Sequence, residues 1–121
     1  AVIVMESGNA AALMKQFNRF VKAARKILAK RDEPPVNVIC SYAGKTWRLT
    51  IFLRRKHRPD AYFAKGKKNI FISPGAIDMA GVVITPRLSD FEHLSCSTLS
   101  AIYNEVSLNE EMLGIILKEF T

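Results

Sequence analysis

The sequence contains little cysteine and no long apolar run. Its two cysteines, Cys40 and Cys96, are too few for a disulfide framework, and neither belongs to a CxxC pair. Cys40 lies within an apolar run, so we expect it to be buried as a small hydrophobic residue. This cysteine usage favours a reducing, cytoplasmic compartment. No apolar stretch approaches the ~20 residues that a membrane-spanning helix needs, so we predict no membrane partner.

Histidine is equally scarce, and its placement excludes the common catalytic and metal-binding motifs. His57 and His93 are the only two, and neither lies in an HxH, HExxH or Cys/His cluster. The chain also lacks a GxSxG, a Walker and a GxGxxG sequence. We therefore predict no complete catalytic site within this chain, no metal site and no cofactor.

Acidic residues are few in the first two thirds of the chain. Residues 1–77 contain sixteen lysines and arginines against four acidic residues, whereas residues 78–121 contain two against seven. This asymmetry indicates a basic face for an anionic partner such as a nucleotide, a phosphate, a nucleic acid or an acidic protein surface. The other interpretation is a charged surface that only keeps molecules apart in solution.

Hydrophobic periodicity predicts the elements of the first half. Residues 2–5 are typical of a short edge strand, and apolar residues at helical spacing predict a long amphipathic helix over residues 10–30. Residues 36–42 and 46–55 predict an antiparallel hairpin with a tight turn. The residues expected on one face of its second strand are Trp47, Leu49, Ile51 and Leu53.

The second half predicts two more strands and a helical end. The strands are expected at residues 69–73 and 79–85, and the short helices at residues 97–106 and 109–120. The order of elements therefore predicts an α+β fold: an antiparallel sheet of about four to five strands, with a long N-terminal helix and short C-terminal helices packed on it. The residues expected to cap the three principal helices are Ser7 or Asn9, Ser97 and Asn109.

Residues 54–68, which we call the basic segment, hold seven of the eighteen basic residues, opposed only by Asp60. Arginine offers a planar fork that matches phosphate, and lysine a point charge. Such a density of positive charge at the end of a strand is suited to binding phosphate groups. It also suits contact with a nucleic-acid backbone, with Tyr62 and Phe63 as stacking surfaces. An exposed loop kept in solution by its charge is the third interpretation.

Three stretches occur in the order found in a known family. Residues 74–92 read PGAIDMAGVVITPRLSDFE, residues 105–111 read EVSLNEE, and residues 55–59 read RKHRP after a strand that bears tryptophan. The third stretch resembles bacterial proteins of the same superfamily, and the first two resemble the C-terminal domain of the GDP-hexose phosphorylases. That family includes the plant GDP-L-galactose phosphorylases and the animal GDP-glucose phosphorylases.

The resemblance implies a histidine-triad-like fold, related to galactose-1-phosphate uridylyltransferase. In that superfamily a His-x-His-x-His/Gln motif supplies the histidine that attacks the α-phosphate of the nucleotide and carries a covalent intermediate. This chain has no such motif, which in two-domain relatives lies in the N-terminal half. We therefore expect residues 1–121 to be a single domain, the C-terminal part of a longer nucleotidyltransferase or phosphorylase acting on a nucleotide sugar or dinucleotide.

The chemistry implied by the resemblance indicates the candidate site. Displacement by phosphate at a nucleotide sugar needs several positive donors around the transferring phosphoryl group. The predicted partner is a nucleotide or nucleotide sugar, with a homodimer as a second expectation. The alternative is a non-catalytic nucleic-acid-binding or dimerisation module. The predicted phosphate- and nucleotide-binding residues are Arg54, Arg55, Lys56, His57, Arg58 and Arg87.

Overall fold

The sheet has three strands in the computed structural model, which describes residues 1–29 and 34–121. The strands are β1 (Val2–Ser7), β2 (Val36–Ala43) and β3 (Thr46–Leu53), and both neighbours of the central β3 run antiparallel to it. The β2–β3 turn consists of Gly44 and Lys45, which both have positive φ angles, as a two-residue type I′ turn requires. The predicted hairpin is confirmed.

The alternation of β3 separates a core face from an outer face. Leu49, Ile51 and Leu53 are buried, and Trp47 packs against the same core while contacting Tyr42 on β2 at 4.6 Å between ring centroids. The predicted inward face is therefore confirmed, with Trp47 only half-buried at its edge. Cys40 was expected to be buried, and that expectation is wrong. It is exposed because β2 is an edge strand whose second half is uncovered.

The core face is covered by two helices, α1 (Ala10–Ile27) and the last helix of the chain, at Glu110–Phe120. Asn9 caps α1 by accepting a hydrogen bond from the Ala12 amide at 3.0 Å. The predicted helix over residues 10–30 corresponds to α1, and its expected last residue lies outside the described residues. The buried residues of the two helices are Leu13, Phe20, Ala23, Ala24, Leu113 and Ile116.

Short elements connect the hairpin to the C-terminal helices. They are α2 (Asp60–Phe63), a single 3₁₀ turn (Gly66–Lys68), α3 (Ala76–Met79) and α4 (Leu88–His93). The final helices are α5 (Cys96–Val106) and α6 (Glu110–Phe120).

The predicted strands at residues 69–73 and 79–85 are wrong, and the described chain has three strands rather than four or five. Carboxylates take the amide protons that a strand partner would otherwise take. Asp90 accepts from the Phe71 amide at 3.0 Å, and Asp78 accepts from Ile84 at 3.2 Å. Gly81, expected inside a strand, lies in the turn after α3 with a φ of 105°. The segment is thus held by side chains rather than by a sheet ladder.

The C-terminal helices have polar N-caps. Ser95, not the expected Ser97, accepts from the Thr98 amide at the start of α5, whereas Asn109 caps α6 as predicted. The link between α5 and α6 is fastened to the end of β3, since Leu108 donates its amide to the Leu53 carbonyl at 2.9 Å. The basic segment therefore begins where the sheet meets the C-terminal helices.

Candidate phosphate-binding site

Arg54 lies inside the protein at the end of β3 and is only 4% exposed. Its Nη1 donates to Asn37 Oδ1 at 2.9 Å and to the carbonyl oxygen of Pro74, and its Nη2 donates to the His57 carbonyl at 2.6 Å. Burial lowers the pKa of Arg54, and the nearby Asp78 carboxylate partly offsets that effect. The structure therefore uses the Arg54 guanidinium to join three chain segments, rather than presenting it to solvent.

The next two basic residues are fixed by α5. Arg55 is exposed, and its Nη2 donates to the Glu105 carbonyl at 3.0 Å. Lys56 forms ion pairs with Asp60, at 2.8 Å, and with the Glu105 carboxylate. The hydrogen bond to Asp60 is the main cause of a raised pKa of Lys56, and the same bond lowers the pKa of Asp60. The charge of Lys56 is thus matched by two ion pairs, while Arg55 forms no ion pair among the described residues and acts on Asp60 only through its field.

Arg58 belongs to a row of stacked side chains that the sequence did not reveal. The Arg58 guanidinium lies 4.4 Å from the centroid of Tyr62, and Tyr62 stacks on Phe71 at 4.7 Å with an interplanar angle of 23°. Arg87 lies 5.6 Å from the centroid of Phe71. We call these four residues the stack. Cation–π contact and ring stacking orient an arginine at each end without neutralising it. His57, by contrast, is exposed and contributes its carbonyl to Arg54.

Arg87 is positioned by Asp90, a residue that sequence reasoning had not assigned to the site. Its Nε and Nη2 donate to the two carboxylate oxygens of Asp90 at 2.9 and 3.0 Å, and Nη2 also donates to the Asn69 carbonyl. The bonds from Arg87 lower the pKa of Asp90, assisted by the Phe71 amide. Within the part of the chain that the structure describes, Arg87 Nη1 makes no hydrogen bond. In the sequence, the Arg-x-x-Asp spacing at the start of α4 is the feature that could have indicated the pairing of Arg87 with Asp90.

A cleft of about 540 Å³ opens beside Arg87, between the end of the basic segment and the helices α4 and α5. Its volume is within the range of small-molecule sites, roughly 300–1,000 Å³. The His93 Nδ1 lies 2.8 Å from the Ser89 carbonyl, so this nitrogen carries a proton and Nε2 is left for a ligand. The residues that line the cleft are Gly66, Lys67, Asn69, Ile70, Arg87, Ser89, Asp90, His93, Leu94 and Thr98.

Four cations of the basic segment lack an ion-pair partner among the described residues, whereas Arg87 in the cleft wall is paired with Asp90. Across residues 1–29 and 34–121, no acidic side chain forms an ion pair with Arg58, Lys65, Lys67 or Lys68. All four residues are exposed. Four like charges within eleven residues raise the local potential and attract anions. Of the six predicted site residues, Arg58 and Arg87 are brought together by the stack, Arg55 and His57 remain at the surface, and Arg54 and Lys56 have protein partners.

Asp78 organises the wall behind the basic segment, although the sequence suggested no role for it. Its Oδ2 accepts from the Gly75 amide at 2.8 Å and its Oδ1 from the Ile84 amide, while its carbonyl accepts from the Tyr103 hydroxyl at 3.0 Å. Burial raises the pKa of Tyr103. Asp78 and Asp90 are therefore separate structural carboxylates, and not an acid–base pair.

The described residues include neither a membrane-spanning helix nor a metal-binding cluster. No helix among them is both long enough and apolar enough to cross a membrane. In the same part of the chain, no three His, Cys, Asp or Glu side chains are grouped so that they could hold a metal ion.

Comparison with known proteins identifies the family. The model of the family described as GDPGP1-like, C-terminal domain, matches residues 1–117. The chain therefore belongs to the GDPGP1-like C-terminal domain family, and the resemblance to the C-terminal domain of GDP-hexose phosphorylase-like proteins is confirmed. No curated protein and no solved structure matches the chain.

Proposed function

We propose that this domain forms part of a nucleotide-sugar phosphorylase and binds phosphate groups of its substrates, while the catalytic histidine is supplied by another part of the enzyme. The observation that carries the proposal is the stack in a GDPGP1-like domain: Arg87 at one end lines a cleft, and Arg58 at the other end is exposed. A preorganised guanidinium group binds a phosphate without the cost of ordering a long side chain. Because the two arginines lie at opposite ends of the stack, they would bind different parts of the ligand.

The six predicted residues have different roles in this proposal. Arg58 and Arg87 bind the ligand, and Arg55 adds an unpaired charge at the edge of the site. Arg54 holds the peptide segments together behind it, since its Nη1 and Nη2 donate to protein acceptors, while its buried Nε has no partner among the described residues. Lys56 fixes α2 to α5 through Asp60 and Glu105, and His57 contributes backbone. Neither a cofactor nor a metal is needed for this binding role.

Titration of GDP-glucose into the 121-residue chain, followed by calorimetry, tests the proposal. We expect Arg58→Ala to weaken binding by about tenfold or more, because a charge-assisted hydrogen bond contributes about 1.5–3 kcal/mol. Lys15→Ala is the matched control, since Lys15 is also exposed but lies on α1. Absence of GDP-glucose binding at millimolar concentration, or equal binding by the Arg58 and Lys15 variants, would contradict the proposal.

A nucleic-acid-binding module is the second candidate. Phe63 is 67% exposed and lies close in sequence to the unpaired Lys65, Lys67 and Lys68, an arrangement that suits a stacked base beside a phosphate backbone. Tyr62 is less suited, because it already contacts Arg58 and Phe71. This candidate predicts RNA or DNA affinity that falls steeply with salt, whereas the absence of binding at low salt would exclude it.

Three finer expectations belong to the same proposal. The α+β arrangement is proposed to be a histidine-triad-like fold of the galactose-1-phosphate uridylyltransferase type. The compartment is proposed to be the cytoplasm, where nucleotide sugars occur beside reduced thiols such as the exposed Cys40 and Cys96. A homodimer is proposed to pair the basic first half of one copy with the acidic second half of another, which sedimentation at low and high salt tests.

A further inference from the structure

The cleft between the 3₁₀ turn and helices α4 and α5 combines three donors of different origin. Lys67 comes from the basic segment, Arg87 from the residue before α4, and His93 from the end of α4. Lys67 and His93 are exposed, whereas the hydrogen bonds of Arg87 to Asp90 and Asn69 hold it in place. The fold therefore brings to one cavity donors that are up to twenty-six residues apart in the chain.

The carboxylate in the cleft is paired with Arg87, so the two charges offset each other. Both oxygens of Asp90 are occupied, Oδ1 by Arg87 Nη2 and Oδ2 by Arg87 Nε and the Phe71 amide. Arg87 keeps Nη1 available, because Asp90 and Asn69 use only its Nε and Nη2. Asp90 is thus a positioning residue, which fixes the guanidinium plane and, among the described residues, leaves Nη1 without a hydrogen-bond partner.

His93 is oriented in a similar way. The Ser89 carbonyl accepts from Nδ1, so the imidazole offers Nε2, either as an acceptor when neutral or as a donor when protonated. The asparagine amide at position 69 is unavailable, because its Nδ2 donates to the carbonyls of Ala61 and Tyr62. The groups left for a ligand are therefore the donors Lys67 Nζ and Arg87 Nη1, and His93 Nε2, which donates only when both ring nitrogens carry protons. The Thr98 hydroxyl is a fourth group on the wall.

We infer that this cleft binds a phosphate group, held by Lys67, Arg87 and His93. Groups from two segments, Lys67 on the 3₁₀ turn and Arg87 and His93 at the two ends of α4, match a tetrahedral, multiply charged anion better than a planar carboxylate, which one arginine fork would satisfy. The cavity of about 540 Å³ is larger than a lone phosphate needs, and Ile70 and Leu94 supply apolar wall for an attached group. The phosphate is therefore either inorganic phosphate or the phosphate of a nucleotide or sugar. This inference rests on the proposed function, and it places the phosphate group of that function in the cleft.

The test measures binding of inorganic phosphate and of GDP to the 121-residue chain by calorimetry, with two-dimensional NMR to follow the His93 ring. We expect Lys67→Gln and His93→Asn each to raise the Kd by about tenfold. His93→Gln should retain more affinity than His93→Asn, because a glutamine amide reaches closer to the Nε2 position. Lys65→Gln is the matched control, since Lys65 is an exposed lysine of the same segment that does not line the cleft.

The two ligands distinguish the source of the phosphate. Loss of inorganic phosphate binding in the cleft variants supports a site for the free ion, and loss of GDP binding alone supports a site for the phosphate of a nucleotide. If both ligands bind the cleft variants and the Lys65 variant equally, or if acetate binds as tightly as phosphate, the inference is overturned. It is also overturned if neither ligand binds. The proposed function would then still stand or fall by the separate effect of Arg58→Ala on GDP-glucose.

Discussion

Replacing Arg54 by methionine should destabilise the domain strongly while leaving the exposed basic surface in place. Methionine fills much of the same volume but has no donors, so the Asn37 side chain and the carbonyls of Pro74 and His57 all lose a partner. A buried acceptor left unpaired costs about 1–3 kcal/mol. Removal of the arginine also returns the desolvation cost of a buried charge, which offsets part of that loss. We expect a net loss of about 3–4 kcal/mol.

Urea denaturation followed by circular dichroism measures this change directly. The free energy of unfolding of domains is about 5–15 kcal/mol, so the expected loss removes a large fraction of it. For a chain of this length the melting temperature should fall by about 10 °C or more. Arg55→Met is the matched control: Arg55 is adjacent in sequence and exposed, and its side chain makes one hydrogen bond, so its substitution should cost less than about 1 kcal/mol.

A second variant separates charge from geometry. Arg54→Lys keeps the charge, but one ammonium cannot reach three acceptors on separate segments, so we expect about 2 kcal/mol of destabilisation to remain. The reasoning is refuted if Arg54→Met unfolds at the same urea concentration as the unaltered chain but no longer binds GDP-glucose. That result would make Arg54 a ligand-binding residue, as the sequence alone had suggested.

Three further substitutions test the site and the fold. Arg55→Ala should weaken binding of GDP by a few fold and leave the melting temperature within about 2 °C, because an exposed charge contributes to attraction rather than to packing; unchanged GDP affinity would restrict the site to the stack. Trp47→Ala should cost about 2–3 kcal/mol in urea denaturation, less than a fully buried indole, since Trp47 is half-buried; a change below about 1 kcal/mol would remove it from the core. Asp90→Asn should cost about 2–3 kcal/mol at neutral pH. Because Arg87 lowers the pKa of Asp90, its stabilisation is complete above the ordinary carboxyl pKa of about 4 and is lost as the pH falls through the folded value. The variant should therefore lose less stability in acid than the unaltered chain. Parallel curves of the free energy of unfolding against pH for the two proteins would contradict the stabilising role of the Arg87–Asp90 pair.

Local pattern predicted the elements whose physics is local. The alternation of residues 46–53 defines the inward face of β3, because successive side chains in a strand point to opposite sides. The short polar side chains of Asn9 and Asn109 cap helices because each reaches an amide three residues ahead in its own chain. The family likewise follows from residue order, as its model matches residues 1–117.

The strands expected at residues 69–73 and 79–85 show where local pattern is insufficient. Both stretches are apolar enough for a strand, but a strand also needs a free sheet edge beside it. Here Asp78 and Asp90 accept the amide protons of Ile84 and Phe71 instead, and each carboxylate lies at least six residues away in sequence. A prediction from neighbouring residues alone does not account for distant carboxylates that compete with a strand partner for the backbone amides.

The sequence by itself determined the hairpin, the two asparagine caps, the basic segment and the family. Only the tertiary structure decided which cations of that segment remain free for a ligand. By alternation Arg54 belongs to the outer face of β3, yet the chain near Pro74 and α3 covers that face and buries it. Arg58, four residues later, stays exposed and joins Arg87 through two aromatic rings. The physical reason is that burial depends on which distant segment packs over a residue, and charge density along the chain does not specify that segment.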